Sequence, residues 1–570
     1  MLRRLTTAVL VGLVLSLLVA AAVASAKTLQ PSGHRTAHKV GASFFEAPPR
    51  SAKAEAGAPP PRAIPLHKEH PSRLDHLKQK AAQKSTTGPP QAPLSPAAVS
   101  AQWNGLIWSD NTTFLGTPPD TTGAVGPSTS TGCGGAGTPC GSYFEFVNSV
   151  VRSYNRTASP PSVFGTAQLD VFTGPTGRDV FDPQIQWDQS ANRWFYTAIS
   201  DQGDTAGQNF MVFGWSKTAN PTGSLASSDW CKYAIDTGTR IDDYDKLGHD
   251  ASHIIIGSNV FTGNTFNGAR IWALPKPANG STTCPTSFGI PFFGYNGTAG
   301  SALKTADNDT AFTPVPANTV NPTGGSGYVV AADDPSDHSG TANQLMVWHV
   351  GGTATVPTLV QDGNVSVTNY QVPANVPQPG TTRRIDSSDA RLTQAVENPD
   401  PDATGAEALW TQHTIAGAGG RSVVRWYELI PSNCSPGTPP ACPATANRQE
   451  GNVSSTTNFV FNGAISPTSA GNSAMVDFNE GSSANLVDLR VQSRIGTDAL
   501  GTMGNESTLV TSSAIDRDFS CSPCRWGDYA AASPDPSDAT KVWGSNQYNG
   551  TIGAPPNRLG WRTYNFAVSP

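Results

Sequence analysis

The chain has 570 residues and a formal net charge of −6 at pH 7, and only 14% of its residues are charged. Its 56 glycines and 47 prolines are typical of many short strands joined by turns and argue against a mainly helical protein. Residues 101–570 contain 39 acidic and 24 basic residues, and this net charge of −15 argues against nucleic-acid binding.

The first 26 residues have the features of a secretory signal peptide. Arg3 and Arg4 form a positive amino-terminal region, residues 8–23 form an apolar core, and Ala24-Ser25-Ala26 is a small-residue cleavage motif. The apolar core is short for a spanning helix, which needs roughly 20 residues. We therefore expect cleavage after Ala26 and a secreted mature chain without a membrane span, either free or associated with the cell envelope.

The next segment, residues 27–100, is rich in Pro, Ala, Ser and Lys and has few large apolar residues. Such a composition cannot bury enough apolar surface to offset the entropy of ordering, so it predicts a disordered pro-segment or stalk. The segment carries eleven basic and four acidic residues. It would therefore be attracted to an anionic wall polymer or to its own acidic domain, although a solvated spacer is the simpler interpretation.

Residues 101–570 repeat a pattern of short apolar strand, polar turn and second apolar strand. Seven such strand pairs recur at spacings of about 50 to 80 residues, and no helical period competes with them. Radial repetition of small antiparallel sheets removes the open edges of a long all-β chain. The pattern thus predicts an all-β β-propeller of six or seven blades, with seven favoured and a pair of stacked β-sandwiches as the alternative. Its tryptophans are expected to pack between blades.

Eight cysteines, an even number in a secreted chain, indicate disulfide bonds. Three pairs are close in sequence and the remaining pair would connect neighbouring units; the pairs are Cys133–Cys140, Cys434–Cys442, Cys521–Cys524 and Cys231–Cys284. The segment Cys521-Ser-Pro-Cys524 has the spacing of a thioredoxin-like redox motif but lacks its βα context, and no second C-x-x-C completes a zinc site. We interpret it as a structural staple of a loop.

Polar segments rich in aspartate precede several apolar strands at the same phase of the repeat. Their charged residues are Asp120, Asp179, Asp182, Asp242, Asp243, Asp245, Asp386, Asp389, Arg391, Arg525 and Asp528. In a propeller the segments that lead into the innermost strands converge on the central channel at one face. We therefore expect these side chains to meet near the axis, although each aspartate alone is also a common turn residue.

Three uses of this convergence are open. The first is a structural calcium ion held by Asp120, Asp182 and Asp245. The second is a site on this face for a glycan, a cell-envelope polymer or a secreted protein. In that site Asp120, Arg391 and Arg525 would bind the ligand.

The third use is a glycoside hydrolase, for which paired carboxylates are required. Its candidate catalytic residues are Asp182, Asp389, Asp528 and Tyr529. The sequence contains no G-x-S-x-G, H-E-x-x-H, P-loop or dinucleotide-binding fingerprint. Because no complete catalytic set is evident, binding without catalysis is the leading hypothesis and the hydrolase is the alternative.

The segments PPDTTGAVGP, FDPQIQWDQSANRWFY, DYDKLGHDASHIIIGSNVF and RWGDYAAASPDPSDATKVWGSNQY carry a resemblance that extends from about Trp103 to Phe566. They resemble secreted bacterial β-propeller proteins that are often labelled sialidase-like. The resemblance implies a propeller and secretion without a settled reaction. True sialidases have S-x-D-x-G-x-x-W turns, an arginine triad and a Tyr–Glu pair. Here the turns DQSANRW and DPSDATKVW lack the glycine, and a third arginine and a partnering glutamate have no counterpart.

Overall fold

The computed structural model describes residues 27–41, 61–64, 68–82, 96–112, 115–128, 141–201, 208–221, 225, 227–322, 326–434, 442–553 and 559–570. The predicted signal peptide and the predicted Cys133–Cys140 pair lie outside these residues. The α-helices in the described ranges are Pro71–Ala81 and Leu169–Thr173. Short 3-10 helices span Trp108–Asp110, Ser227–Asp229, Pro401–Ala403, Ala418–Gly420, Pro431–Asn433 and Ala444–Ala446. None of these helices is long and apolar enough to cross a membrane.

Groups of four antiparallel strands follow one another along the chain, and we number them as units 1 to 7. The strands of units 1 and 2 are Thr122–Val125, Ser142–Val147, Val150–Asn155 and Ser162–Gln168, then Asp179–Asp188, Arg193–Asp201, Asn209–Ser216 and Trp230–Gly238. Those of units 3 and 4 are Ile241–His249, His253–Thr262, Thr265–Pro275 and Ser287–Gly294, then Val315–Pro316, Gly327–Ala332, Ala342–Thr353 and Val356–Tyr370.

Units 5 to 7 continue the same pattern. Their strands are Gln394–Asp400, Ala406–Ala416, Ser422–Leu429 and Asn447–Val453, then Phe459–Pro467, Ala474–Gly481, Asp488–Arg494 and Ser507–Thr511, then Ala531–Pro534, Val542–Asn549, Trp561–Ser569 and Ala98–Ile107. The other strands are Lys27–Leu29, Gly33–Lys39, Pro61–Ala63, Leu115–Thr117, Asn318–Thr319, Val376–Pro377 and Arg384–Ile385.

The first strands of the units form a closed ring around a central channel. Each first strand contacts that of the next unit, and the first strand of unit 7 contacts that of unit 1. Residues of these strands line the channel, among them Thr122, Gln186, Leu247, Gln394 and Ala531. This arrangement is a β-propeller, as the strand repeat predicts.

The ring is closed by a strand from the other end of the chain. Ala98–Ile107 pairs antiparallel with Trp561–Ser569 and is the outer strand of the last unit. The folded domain therefore begins before residue 101, the boundary predicted from composition.

The tryptophans of the strands pack between neighbouring units, as predicted. Trp194 of unit 2 lies with Phe144 of unit 1 in one buried cluster, and Trp410 and Trp426 of unit 5 lie with Val460 of unit 6 in another. Such large buried aromatics supply much of the apolar area that holds unit to unit.

The described parts of residues 27–100 are ordered, in contrast to the predicted disordered stalk. Lys27–Leu29 pairs with the outer strand of unit 4, and Gly33–Lys39 pairs with the outer strands of both unit 2 and unit 3. Composition does not reveal this order because the segment builds no core of its own. It is ordered by unpaired strand edges that the propeller supplies.

A second part of this segment packs against the face of the propeller at which the first strands begin, and we call residues 61–64 and 68–82 the cover. Pro61–Ala63 pairs in parallel with Leu115–Thr117. Ile64 and Leu74, 4% and 3% exposed, are buried in apolar clusters with propeller residues. The cover is thus attached to the propeller by backbone pairing and by apolar packing.

Three disulfides join the cysteines that sequence spacing pairs in the described ranges: Cys231–Cys284, Cys434–Cys442 and Cys521–Cys524. The first connects the outer strand of unit 2 to unit 3. The third lies in a loop that runs beside Arg384–Ile385, where the backbone N–H of Asp386 donates to the carbonyl of Cys524 over 2.9 Å. This loop is stapled, as the sequence indicates, and it lies next to the candidate site.

Candidate functional site

Charged side chains from units 1, 2, 3 and 7 meet at the covered end of the channel. The backbone N–H of Asp528 donates to Asp120 Oδ1 over 2.7 Å, and Asn148 Nδ2 donates to Asp120 Oδ2 over 2.7 Å. The backbone N–H of Asp182 donates to Asn148 Oδ1 over 2.8 Å. We call Asp120, Asp182, Asp245, Lys246 and Asp528 the mouth cluster. The structure therefore places four of the aspartates singled out in the sequence on one face.

The backbone enters these first strands in a conformation that non-glycine residues rarely adopt. Asp120, Asp182, Tyr244 and Asn462 have φ values of 45°, 51°, 55° and 48°. In units 2, 3 and 6 the strand register also shifts at this point. A bulge of this kind redirects side chains, and left-handed non-glycine residues concentrate at functional sites. The position at which the aspartates recur in the sequence thus coincides with a positive φ, and in several units with a register shift, in the first strand.

Lys246 is the cation of the mouth cluster. It is 1% exposed, and its Nζ lies 3.3 Å from the ring centre of Tyr529 and 3.8 Å from that of Tyr244. Its ammonium has no hydrogen-bond partner among the described residues. Burial lowers the pKa of Lys246, while Asp182 and Asp245 oppose this shift. A buried, unsatisfied amine beside carboxylates is a marker of a functional site.

Burial raises the pKa of three carboxyl groups of the cluster, those of Asp120, Asp182 and Asp245. Burial and the charge of Asp528 raise the pKa of Asp120, and burial raises the pKa of Asp182 well above its usual range, with Asp120 as the largest charge contribution. Burial raises the pKa of Asp245 to about 8. Desolvation disfavours each charge, and like charges add to the effect.

The two predicted ligand arginines are each paired with an aspartate. Arg391 Nε donates to Asp389 Oδ1 over 2.7 Å, and Arg525 donates through Nη2 to Asp528 over 3.0 Å. Burial alone would raise the pKa of Asp389, but the Arg391 guanidinium lowers it below its ordinary value. Tyr529, a predicted catalytic residue, donates to the carbonyl of Pro183 over 3.2 Å. Both guanidinium groups are therefore already bound to aspartates of this chain and are not open to a ligand carboxylate in this structure.

Asp386 is the point at which the cover enters the site. Lys78 Nζ donates to Asp386 Oδ1 over 2.6 Å and to Asn375 Oδ1 over 2.7 Å, and Lys68 Nζ donates to Asp386 Oδ2 over 3.1 Å. Burial alone would raise the pKa of Asp386, but the two ammonium groups lower it far below its usual range. Next to this pair, Arg525 Nη1 donates to the backbone carbonyl of Ile64 over 2.8 Å.

Calcium at Asp120, Asp182 and Asp245 stays a prediction. Asp120, Asp182 and Asp245 are absent from the groups of three or more potential ligand atoms that lie within 4.8 Å of one another in the described ranges. The charge that they have in common is the ammonium of Lys246. The structure therefore gives no support for calcium at these three residues.

Other aspartates of the polar segments lie within the first strands of units 2 and 3. Asp242 pairs with Arg270 at 3.0 Å and accepts from Ser258. Asp179 begins the first strand of unit 2. Asp243 is buried in the first strand of unit 3 but is not among the potential metal ligands. Asp242 therefore has a structural role within its sheet, whereas the charge of Asp243 acts on Asp182 and Asp245 of the mouth cluster.

Sequence reasoning missed two lysines of the site, Lys246 and Lys78. A signal for the first is present, because Lys246 directly follows three aspartates in RIDDYDKLG. The second lies with Leu74 and Ala81 on the buried side of the helix, at a spacing typical of one helical face. Lysines are almost never fully buried without a partner, so neither burial was evident from sequence.

Neutralising Asp245 is expected to change how stability depends on pH. With a pKa of about 8 in the folded state, Asp245 holds a proton that the unfolded chain releases near pH 4. Its stabilising contribution is complete below the unfolded pKa and is lost as pH rises through 8. Relative to Asp245→Asn, the wild type should lose up to about 1.4 kcal/mol per pH unit between pH 5 and 8. Thermal unfolding at several pH values measures this difference, and parallel profiles would contradict it.

The fold and the ring of first strands define the class of this protein, an all-β propeller. No family model and no curated protein matches the chain. Among solved structures, it is similar to a hypothetical selenium-binding protein from Sulfolobus tokodaii, with 9% identity, a TM-score of 0.38 and coverage of 76% of this chain and 95% of that one. It is also similar to the parainfluenza virus 5 hemagglutinin-neuraminidase with ligand DANA, with 9% identity, a TM-score of 0.33 and coverage of 75% of this chain and 95% of that one. A third similar structure is the C-terminal WD40 domain of Sif2, with 10% identity, a TM-score of 0.29 and coverage of 85% of this chain and 99% of that one. At such TM-scores these similarities carry no argument about the site.

Proposed function

We propose that this protein is a secreted, seven-bladed β-propeller that binds a basic polypeptide across the mouth of its channel, and that the cover is the intramolecular occupant of that site. The observation that carries the proposal is the buried Lys78 ammonium held by Asp386. Among the ligands that the sequence leaves open, which are a glycan, a cell-envelope polymer and a secreted protein, this contact favours a protein.

The remaining contacts of the cover support a polypeptide ligand. Pro61–Ala63 binds by strand pairing, Ile64 offers its backbone carbonyl to Arg525, and Leu74 fills an apolar site. Strand addition with side-chain sockets is a general mode of peptide recognition. A separate basic polypeptide that offers a strand, a lysine and an apolar side chain at the same spacing would compete with the cover.

Other features support the finer parts of the proposal. Each of the seven four-stranded units has the size and order of one blade. The three disulfides and the sequence features of a signal peptide support secretion. The resemblance to secreted bacterial propellers labelled sialidase-like agrees with this assignment.

A peptide-exchange experiment tests the proposal. Protease sites are placed in the full chain within residues 42–60 and 83–95, and after cleavage the binding of a fluorescent synthetic peptide of residues 61–82 is measured. We expect saturable binding that is at least tenfold weaker for a peptide with Lys78→Met. A matched peptide with Lys80→Met should bind normally, because Lys80 lies on the exposed side of the helix. Equal binding of all three peptides, or no binding, would show that the site does not recognise this lysine.

A glycoside hydrolase is the second candidate function. The observation that favours it is the contrast between Asp120, whose pKa burial raises, and Asp389, whose pKa Arg391 lowers against the effect of burial. One carboxyl group with a raised pKa and one with a lowered pKa are what general acid catalysis beside an ionised carboxylate requires. A panel of fluorogenic glycosides, including sialosides, tests this in the cleaved protein. Hydrolysis that is lost in Asp120→Asn would support the enzyme, and no turnover of any substrate would leave only binding.

A further inference from the structure

A second polar cluster lies where the cover meets a loop of unit 4, outside the mouth cluster. Glu69 and His70 precede the helix Pro71–Ala81, and Asp334 and Asp337 lie in the loop between Gly327–Ala332 and Ala342–Thr353. Residues that are far apart in sequence, one pair from the cover and one pair from the propeller, thus meet at a single place.

The potential ligand atoms of this cluster are close enough to share an ion. One atom each from Glu69, His70 and Asp337 lies within 4.8 Å of the other two. His70 Nε2 is 3.0 Å from Asp337 Oδ1 and 3.9 Å from Glu69 Oε1. Ligands about 2.0–2.1 Å from a tetrahedral zinc ion are separated by similar distances.

Among the described residues, the basic side chain paired with Glu69 is that of His70, whose Nε2 lies 3.9 Å from Oε1. The side chain of Glu69 is 5% exposed, and Oε2 has no hydrogen-bond partner among the described residues. The charges of Asp334, Asp337 and Asp389 act against the ionised form of Glu69, and Glu69 forms a side-chain hydrogen bond with Asp334 when one of the two carries a proton.

The basic side chains nearby already have other partners. Lys68 and Lys78 bind Asp386, and Arg391 binds Asp389. A buried carboxylate facing other carboxylates requires either a shared proton or a bound cation.

We propose that Glu69, His70 and Asp337, with Asp334 beside them, bind a divalent first-row metal ion of the zinc type that fastens the cover to the propeller. An imidazole nitrogen combined with carboxylate oxygens suits zinc, whereas calcium takes oxygen ligands. Since two ligands come from the cover and the others from unit 4, the ion holds the cover closed. Its removal frees the cover at the end that precedes the helix. This proposal does not depend on which ligand the channel mouth binds.

The full-length secreted chain, without an affinity tag and treated with EDTA, is titrated with ZnCl₂ in a calorimeter and then unfolded thermally. We expect one tight site. At a zinc concentration of about 100 times Kd, the melting temperature should rise by about 2–3 °C. Cobalt should bind at the same stoichiometry, with a visible absorption that reports its coordination. MnCl₂ and CaCl₂ serve as comparisons for selectivity.

Two variants assign the site. Glu69→Gln keeps the size of the side chain and should weaken zinc binding at least tenfold, and His70→Ala should do the same. His76→Ala, on the exposed side of the same helix, is the matched control and should bind normally. His338→Ala tests the other group of potential ligands, Asp307, Asp309 and His338, and should also bind normally.

Zinc binding that is absent from the wild type would overturn the proposal and leave a proton shared between Glu69 and Asp334. Binding that survives both Glu69→Gln and His70→Ala, or that is lost in His338→Ala, would also overturn it. Limited proteolysis within residues 61–82 provides an independent measurement. EDTA should accelerate cleavage in the wild type and have no effect on Glu69→Gln.

Discussion

Asp386→Asn is expected to lower the free energy of unfolding by about 3–5 kcal/mol, because it leaves the buried ammonium of Lys78 without its charged partner. Lys78 is 4% exposed and Asp386 is 8% exposed, so water cannot replace the lost contact without moving the cover. Lys68, the second cation on Asp386, loses its partner as well. Thermal unfolding and limited proteolysis within residues 61–82 measure the effect.

The two measurements separate local from global destabilisation. If the cover opens before the propeller unfolds, cleavage within 61–82 accelerates strongly while the main transition shifts less. Asp538→Asn is the control, because the Lys541–Asp538 pair is about one-third exposed on both sides and such pairs contribute little. Wild-type proteolysis and an unchanged melting temperature in Asp386→Asn would show that this ion pair does not hold the cover.

Glu145→Ala is expected to destabilise the closure of the ring by about 4 kcal/mol or more, because each buried donor left unsatisfied costs about 1–3 kcal/mol. Glu145, on the second strand of unit 1, is fully buried. Its carboxylate accepts hydrogen bonds from the Leu106 N–H over 3.2 Å, from the Tyr154 hydroxyl over 2.6 Å and from Asn565 Nδ2 over 2.9 Å. The Thr563 hydroxyl is a fourth donor. These donors belong to the first unit, the last unit and the closing strand.

Chemical denaturation measures the loss at Glu145. Glu506→Ala is the control, because this glutamate is 37% exposed and pairs with Arg490 at the surface. A change of less than about 1 kcal/mol in Glu145→Ala would mean that water takes over the four hydrogen bonds, and closure would then depend on apolar packing alone. That packing is substantial, because Trp103 of the closing strand lies 5.4 Å from the ring of Tyr143 and 5.9 Å from that of Trp543.

The sequence alone determined those features that depend on local pattern. The recurrence of a short apolar strand, a polar turn and a second apolar strand indicated a propeller. The spacing of Cys521 and Cys524 indicated a loop staple. The phase of Asp120, Asp182 and Asp528 before their strands indicated that they would converge. Each of these inferences needs only the periodicity of strands and the chemistry of a few residues.

Tertiary structure alone decided the features that join distant parts of the chain. The order of the described parts of residues 27–82 depends on surfaces that exist only after the ring has formed, and so do the closing strand Ala98–Ile107 and the burial of Lys78 against Asp386. The burial of Lys246 has the same cause, because it follows from the convergence of several units. A polar or basic segment that builds no core of its own has no local signature of order. Its hydrogen bonds and ion pairs are supplied by residues hundreds of positions away, and composition cannot report them.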